Sequence, residues 1–503
     1  MQNDDHYYLK HYKNTIEDDE QSRLMYKLME LQPHISRDYT YDEMGAAALV
    51  AEMYPEIRYC SDFGAWYIWD GSRWKKQQSK EQISDKVQTL FNLLLYYCKE
   101  IAADGKDSEI QAYERYCKGL RKKTVVYNVI ELLKSHDCLS ASVFDTNPYM
   151  LNTPRAAYDL QTMKTIANRK SMNPTQCTAC NLPSTNYRCD RWYSYIDQIM
   201  SYNKEKAAFL QRALGYSILG INREECMFIA YGSRSRNGKS TLLSAIEGVL
   251  GKEYMGGSDP MLICEGKTSK IRDFHAPQPA LRKLVNTRLV TIAEINRDQI
   301  INAAMLKSLT GRDTLTTRGL HEGSFDFIPQ FTIWVNTNHL PSVSDDTVFR
   351  SDRVWVITFD ESFDEQTRNR SLKELFAAPE NKPTILQWLV EGCIDYFKQG
   401  LNPPDSVRTA TNEYRERHDR IGCFIKERCT VDHSRSTLVK RSDLYNAYHF
   451  WCVKAENRYK PLGTVNFYAE IEYRGFPIKQ HKVNGKPDYY VEGITLSNEV
   501  EKV

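Results

Sequence analysis

The chain has no apolar run near the ~18 residues that cross a bilayer; its longest, such as FNLLL, are far shorter. The opening MQNDDHYYLKHYKN is polar and acidic, without the apolar stretch of a secretion signal. Both absences lead us to expect a soluble, cytoplasmic protein with no membrane partner. The 13 cysteines form no repeating framework, which fits thiols kept free in a reducing compartment. There is no marked charge excess either: 67 Lys and Arg face 65 Asp and Glu, for a net +2. Whole-chain charge neither proves nor excludes a nucleic-acid partner, because such a partner needs positive charge on one surface only. No histidine lies between His136 and His275, so Cys177, Cys180 and Cys189 lack the fourth ligand of an ordinary structural zinc site, and free thiols compete with that reading. No internal repeat or low-complexity tract is evident.

What is present is an ordinary globular composition, 41% hydrophobic and 26% charged over 503 residues, enough for two to four domains. Residues 1–45 read as an acid-rich lead-in, helical or partly mobile. In SDFGAWYIWDGSRWKKQ, Asp70-Gly71 between aromatic runs signals a tight hairpin. Trp66, Trp69 and Trp74 either stack bases or form hydrophobic core. Helical patterns follow in ISDKVQTLFNLLLYYCKEI and KKTVVYNVIELLKS, with Arg121, Lys122 and Lys123 either a solvated helix start or a nucleic-acid contact. The texture changes near 190, where WYSYIDQIMSYN and EKAAFLQRALGYSILG predict two helices. NPPDS at 402–406 reads as a linker.

The stretch CMFIAYGSRSRNGKSTLLSAIEGVLG nearly spells a phosphate-binding loop, G-x-x-x-x-G-K-[ST], but has Ser233 where the first glycine belongs and Gly232 one residue earlier. Context decides what the tripeptide Gly238-Lys239-Ser240 cannot. Met227 to Ala230 is an apolar run of buried-strand type. Leu242, Leu243, Ile246, Val249 and Leu250 recur on one helix face. In a strand–loop–helix unit, backbone amides cradle phosphate, Lys239 reaches the outer phosphates and the Ser240 hydroxyl holds Mg²⁺. Further on, RLVTIAEIN predicts a strand ending in Glu294, and FTIWVNTNHLP another ending in Asn338. DDTVFRSDRVWVITF sets Arg350 and Arg353 before a third. Alternating strands and helices imply an α/β fold, a parallel sheet with nucleotide at its carboxyl edge.

NGKST, RLVTIAE, LKSLTGRDTLTTRGLHEGSFDFIPQFTIWVNTNHLP and DDTVFRSDRVWVITF together resemble the ordered motifs of superfamily 3 DNA helicases. The type is the helicase part of phage and plasmid primases, related to the poxvirus helicase-primase. Phage members have an extra residue ahead of N-G-K, so the resemblance implies that Gly232 opens the loop and that Asn237, Gly238, Lys239, Ser240 and Thr241 complete it. WYIWDGSRW and NPYMLNTPRAAYDL, within 46–190, are similar to the domain preceding the motor in that family. The resemblance implies an AAA+-like P-loop motor at 191–400, taking ATP and Mg²⁺ and translocating on DNA as a homo-oligomer, expected to be a hexamer, of a phage, prophage or mobile element. It further implies that Ser240 and Glu294 hold Mg²⁺, that Glu294 polarises water and that Asn338 senses the γ-phosphate, a turn cap being its alternative. Arg353 would complete a neighbour's site, with a buried structural role as its alternative and Arg350 as a weaker second candidate. Ala293 before Glu294 departs from the family's paired acids. With no room ahead for a primase domain, a separate primase or polymerase is the expected partner.

Residues 407–503 read as a DNA-binding domain on their own pattern. Ser442 is expected to cap a helix carrying Leu444, Tyr445, Tyr448, Trp451 and Cys452 on one face. Thr464 opens a second helix ending at Gly475. Asn484-Gly485 predicts a hairpin crowded by Lys479, Lys482 and Lys486. Helix, helix and basic hairpin describe a winged helix, with a protein-contact domain as the alternative. In DTLTTRGLHEGSFDF, Thr314–Thr317 and Ser324–Phe327 are expected to pair, putting Arg318 and His321 at a tip that meets DNA or merely solvates a turn. Two rivals remain: an initiator or loader that uses ATP only to assemble, and a packaging or defence NTPase, against which the 311–327 hairpin argues.

Overall fold

The computed structural model describes residues 20–102, 108–136, 138–184, 187–265, 279–296, 299–318, 324–345, 347–365, 369–454, 461–483 and 486–497. Helices α1 (Glu20–Leu31) and α2 (Glu43–Met53) come first, then strands β1 (Ile57–Cys60), β2 (Ala65–Trp69) and β3 (Trp74–Lys76), then α3 (Glu81–Ile101), α4 (Ser108–Leu120) and α5 (Lys123–Leu133). Leu24, Met25 and Leu28 lie on one face of α1 and share a core with Val87, Leu90 and Leu94 of α3. The described part of the expected lead-in is therefore structural, because that face is apolar at helical spacing. Asp42 caps α2, its carboxylate accepting from Gly45 N at 2.8 Å. Arg121, Lys122 and Lys123 are exposed where α5 starts.

The Asp70-Gly71 hairpin forms as expected, with Trp69 opposite Trp74. The Asp70 carboxylate accepts from the Ser72 and Arg73 amides, both at 2.9 Å, and Gly71 takes φ +93°, a turn only glycine enters without strain. Trp66 and Trp74 are buried, and Trp69 meets Trp74 edge-on at 5.7 Å. Trp66 and Trp74 are core, and Trp69, half-buried, packs against Trp74.

Beyond residue 147 the chain packs on segments C-terminal to it. Gly220 N donates to Pro148 O at 2.8 Å, Ala179 N to Val249 O at 2.8 Å and Asn152 N to Tyr254 Oη at 2.9 Å. Leu151 and Leu160 join a core with Trp192 and Leu250. The core thus changes nearer 147 than 190, since the intervening loops bury their apolar residues against the second unit. Among the described residues no three His, Cys, Asp or Glu side chains cluster as a metal site.

The second unit has α6 (Asp190–Ile199), α7 (Lys204–Ser217), β4 (Met227–Tyr231), α8 (Lys239–Tyr254), β5 (Met255–Ser258), β6 (Leu289–Ala293), hairpin strands β7 (Leu315–Arg318) and β8 (Ser324–Phe327), then β9 (Thr332–Thr337), β10 (Val354–Thr358) and α9 (Lys382–Gln399). Five strands form a parallel sheet in the order β10-β4-β9-β6-β5. The strand before the loop thus lies between the last and the next-to-last in chain order. Alternation along β4 divides the two layers: Phe228 and Ala230 face a core with α7, α8 and α9, while Met227 and Ile229 face one with Leu306, Leu309 and Tyr414.

Tyr414 belongs to α10 (Asp405–His418), which directly follows the expected linker. The Val356 amide donates to Thr411 Oγ1 at 3.0 Å, so α10 is part of the sheet's second layer and the C-terminal unit begins near Asp419. That unit comprises α11 (Arg420–Arg428), β11 (Leu438–Lys440), α12 (Arg441–Lys454), α13 (Thr464–Tyr473), β12 (Ile478–Val483) and β13 (Lys486–Glu492), its sheet ordered β11-β13-β12. Ser442 lies inside the first turn of α12 and bonds Asp443 at 3.2 Å; the helix starts two residues too early for it to be the cap. Asn484-Gly485 lies outside the described residues. Among these no helix is long and apolar enough to cross a membrane.

Candidate nucleotide site

The loop joining β4 to α8 runs from Gly232 to Gly238. A Cβ on Gly232 would lie 2.0 Å from Asn237 Nδ2, 2.9 Å from the Phe359 carbonyl oxygen and 3.0 Å from Lys239 Nζ. Ser233 is exposed. Position 232, not 233, therefore needs the absent side chain. Buried Asn237 braces the turn by donating to Arg234 O at 2.7 Å. Gly238 has φ +90°, and a Cβ there would meet Ile199 Cγ2 at 2.4 Å. From the same helix, α6, the Tyr195 hydroxyl donates to Gly238 O at 2.7 Å.

Lys239 is the first residue of α8, and only 4% of it is exposed. Its ammonium donates to Asn338 Oδ1 at 2.8 Å and reaches Gly232 O at 3.5 Å. Burial lowers its pKa to about 8, since desolvation disfavours the charged form. The parallel register makes this contact possible, because β4 and β9 end side by side, Tyr231 opposite Thr337. Glu294 directly follows β6, its amide donating to Asn336 O at 3.2 Å. It takes φ +55°, a left-handed conformation that costs a non-glycine residue ~1–3 kcal/mol and is concentrated at functional sites.

Lys239, Ser240, Glu294 and Asn338 line one cleft of about 510 Å³. On the other side of the loop a second lobe of about 210 Å³ is lined by Tyr195, Arg236, Thr241, Phe363 and Lys373. Sequence reasoning missed these last residues except Thr241. The Trp192, Tyr195, Ile196 and Ile199 face of α6 was legible as apolar, but nothing in its pattern says that it supports this loop.

Arg353 lies elsewhere. Its carbonyl accepts from the Met227 amide at 2.9 Å, which puts it at the amino edge of the sheet, opposite the cleft. The guanidinium binds Glu225 Oε2 at 2.7 Å and Thr310 Oγ1 at 2.9 Å. Arg350 ends the short helix Thr347–Arg350 just before it. The β7–β8 hairpin pairs Leu315 with Phe327 and Arg318 with Ser324, so Arg318 ends a strand while His321 lies outside the described residues. In the C-terminal unit, Lys482 and Lys486 are exposed. Lys479 is tied to Glu492 at 3.0 Å, where His481 also binds at 2.9 Å. Its charge is partly neutralised, because facing strands bring the carboxylate beneath it.

Residues 46–201 match the family described as D5 N terminal like. The chain carries a D5-like region. Over 444 residues it is 23% identical to "Putative helicase L207/L206" of Acanthamoeba polyphaga mimivirus, covering 80% of this chain and 45% of that protein. It is 27% identical over 273 residues to "Putative helicase 022R" of Frog virus 3, covering 51% of this chain and 27% of that one. The chain thus spans less than half the length of the curated relatives it matches. Among solved structures, the apo NrS-1 C terminal region superposes with a TM-score of 0.50 at 12% identity, over 90% of this chain and 99% of that one. This likeness concerns the fold alone. The D5-like region ends at residue 201, just past α6, so the matched segment includes the helix that supports Gly238. The resemblance to viral and phage helicase-primases of superfamily 3 stands on these matches.

Proposed function

We propose that this chain is an ATP-driven DNA motor of the superfamily 3, AAA+ P-loop type, acting in replication of a phage, virus or mobile element. The observation that carries the reading is the convergence of Lys239, Ser240, Glu294 and Asn338 on one cleft at the carboxyl edge of a five-stranded parallel sheet. Amides at the start of α8 supply donors for phosphate oxygens. Lys239, held ready by Asn338, turns to the β- and γ-phosphates and releases the Asn338 amide to sense the γ-phosphate and orient water. The Ser240 hydroxyl and the Glu294 carboxylate suit Mg²⁺, which takes one or two protein oxygens alongside phosphates and water. Bound there, the metal would neutralise phosphate charge; Glu294 also polarises the attacking water. The lobe beside Tyr195 and Phe363 suits the rest of the nucleotide.

Arg353 is at the edge away from its own cleft, so a catalytic use is in a neighbouring copy, as in a hexameric ring. The β7–β8 hairpin is the candidate pore element, through Arg318 and His321. The C-terminal unit has the element order of a winged helix. Its α13 exposes Val465, Ala469, Glu472 and Tyr473, none of them cationic, so backbone grip falls to Lys482 and Lys486 on the wing, with a smaller share for the ion-paired Lys479.

The test is ATP hydrolysis and fork unwinding by the purified chain, with and without single-stranded DNA, alongside its mass in solution. Lys239→Ala should abolish turnover, whereas Arg318→Ala/His321→Ala should keep basal turnover and lose DNA stimulation and unwinding. Undiminished hydrolysis by Lys239→Ala would sink the reading. Slow, DNA-independent hydrolysis by the wild type would point to a loader.

A further inference from the structure

A second cleft, of about 680 Å³, lies between the N-terminal sheet and the motor. Lys75 and Lys76 on β3 form one wall, and Lys252 on α8 and Lys283 form the other. All four are exposed, and among the described residues none makes an ion pair with a carboxylate. The lining acid, Glu253, is committed to Arg73 at 2.8 Å. Four ammonium groups drawn from two units and facing one gap repel one another, an arrangement that favours a polyanion between them.

The cleft also reaches a cluster of aromatic rings and cations. The Phe63 ring is half-buried, with the Arg282 guanidinium 4.5 Å from its centre and the Lys76 ammonium 5.8 Å away. Arg282 also lies 4.8 Å from the ring of Phe325 on β8, and Phe63 and Phe325 are 5.5 Å apart. The cleft therefore opens beside β8 of the hairpin, where Phe325 pairs with Thr317. Arg282 covers the Phe63 ring, so the groove offers the strand a line of cations for its phosphates, a contact that reads no sequence.

We propose that this cleft is a track for the phosphate backbone of single-stranded DNA, running past β8 of the hairpin. The proposal rests on the reading that the chain works on DNA, and adds a site remote from the nucleotide cleft. Lysines from two units along one groove suit a single flexible backbone, which can thread between them.

The experiment measures fluorescence anisotropy of a labelled oligothymidylate with the full chain over a series of salt concentrations. It compares wild type with Lys75→Ser/Lys76→Ser, Lys252→Ser/Lys283→Ser and the fourfold variant, each checked by thermal melting. Each phosphate contact on a single strand contributes ~0.7 to the slope of log affinity against log salt. Each pair should therefore lower the slope by about 1.4, and the fourfold variant by roughly twice that, with DNA-free ATP hydrolysis unchanged. An unchanged slope in folded variants overturns the track and leaves the motor reading intact. Equal loss of duplex binding overturns the single-strand assignment. Loss of polyglutamate binding with oligothymidylate binding retained assigns the cleft to an acidic protein segment instead. A wild type that binds no DNA overturns both. The paired variants keep the test decisive should the fourfold one misfold.

Discussion

Replacing Gly232 with Ala tests the loop at the position where this chain departs from the ordinary pattern. The new methyl carbon would stand 2.0 Å from Asn237 Nδ2, where ordinary contact starts near 3.4 Å, and 2.9 Å from the Phe359 carbonyl oxygen. The Asn237 amide can rotate, but only by giving up its 2.7 Å bond to Arg234 O, a loss of ~1 kcal/mol. The Phe359 carbonyl is backbone and must move with its chain, an overpacking cost of ~1–3 kcal/mol. Together these amount to about 2–4 kcal/mol, and some of the displacement passes to Lys239, whose ammonium is 3.0 Å from the same point. The melting temperature should fall, and binding of a fluorescent ATP analogue should weaken because the displaced loop and Lys239 no longer meet the phosphates. Ser233→Ala, at an exposed position, should change neither by more than ~0.5 kcal/mol. Normal binding by Gly232→Ala beside failure of Ser233→Ala would refute the placement of the loop.

Two further perturbations address charge. Arg353→Ala should bind ATP yet lose ~10³-fold or more in hydrolysis if it serves a neighbour's cleft, and mixing with Lys239→Ala should restore part of the turnover; exchanged rings that stay inactive would refute the trans role. For Lys239, burial lowers the pKa from 10.5 to about 8, so above pH 8 the empty site holds mostly neutral amine while phosphate demands the cation. Nucleotide binding should then take up a proton and weaken up to tenfold per pH unit from ~8 towards ~10. Calorimetry in two buffers of different ionisation enthalpy checks this, and uptake persisting in Lys239→Ala would refute it.

Much of the fold was legible because its signals are local and redundant. The apolar MFIA run and the periodic helix after it specify β4 and α8 without reference to the rest of the chain. The Asp70-Gly71 turn was likewise visible, and the hairpin expected from 314–317 with 324–327 forms with its first strand one residue later, at 315–318. Boundaries between units were not. Pro403-Pro404 reads as a break, and locally it is one, but α10 then returns to bury Tyr414 under the sheet. The decisive interaction joins residues far apart in sequence, and a loop and a linker carry the same composition. Leu24, Met25 and Leu28 lie just as invisibly behind an acid-rich start.

The site divides along the same line. Gly232, Lys239, Glu294 and Asn338 each end or follow an apolar strand, and a parallel sheet brings such positions to one edge whatever the loops do. Sequence alone therefore gathers them. Tyr195 and Phe363 enter from segments outside the strands, and only tertiary packing delivers them. Arg353 shows the limit most clearly. Its place before β10 was legible, but its bond to Glu225 was not, and that bond sets the cost of a catalytic role. An arginine that must leave Glu225 at 2.7 Å and Thr310 at 2.9 Å to reach a neighbour gives up more than the ~0.2–1 kcal/mol of a solvent-exposed pair, because its side chain is only 16% exposed. A finger is worth ~10³ to 10⁵ in rate, or ~4–7 kcal/mol. If Arg353 serves a neighbour's cleft, that gain is available only once a second copy presents a nucleotide, and the Glu225 bond is then the resting state of an unassembled chain.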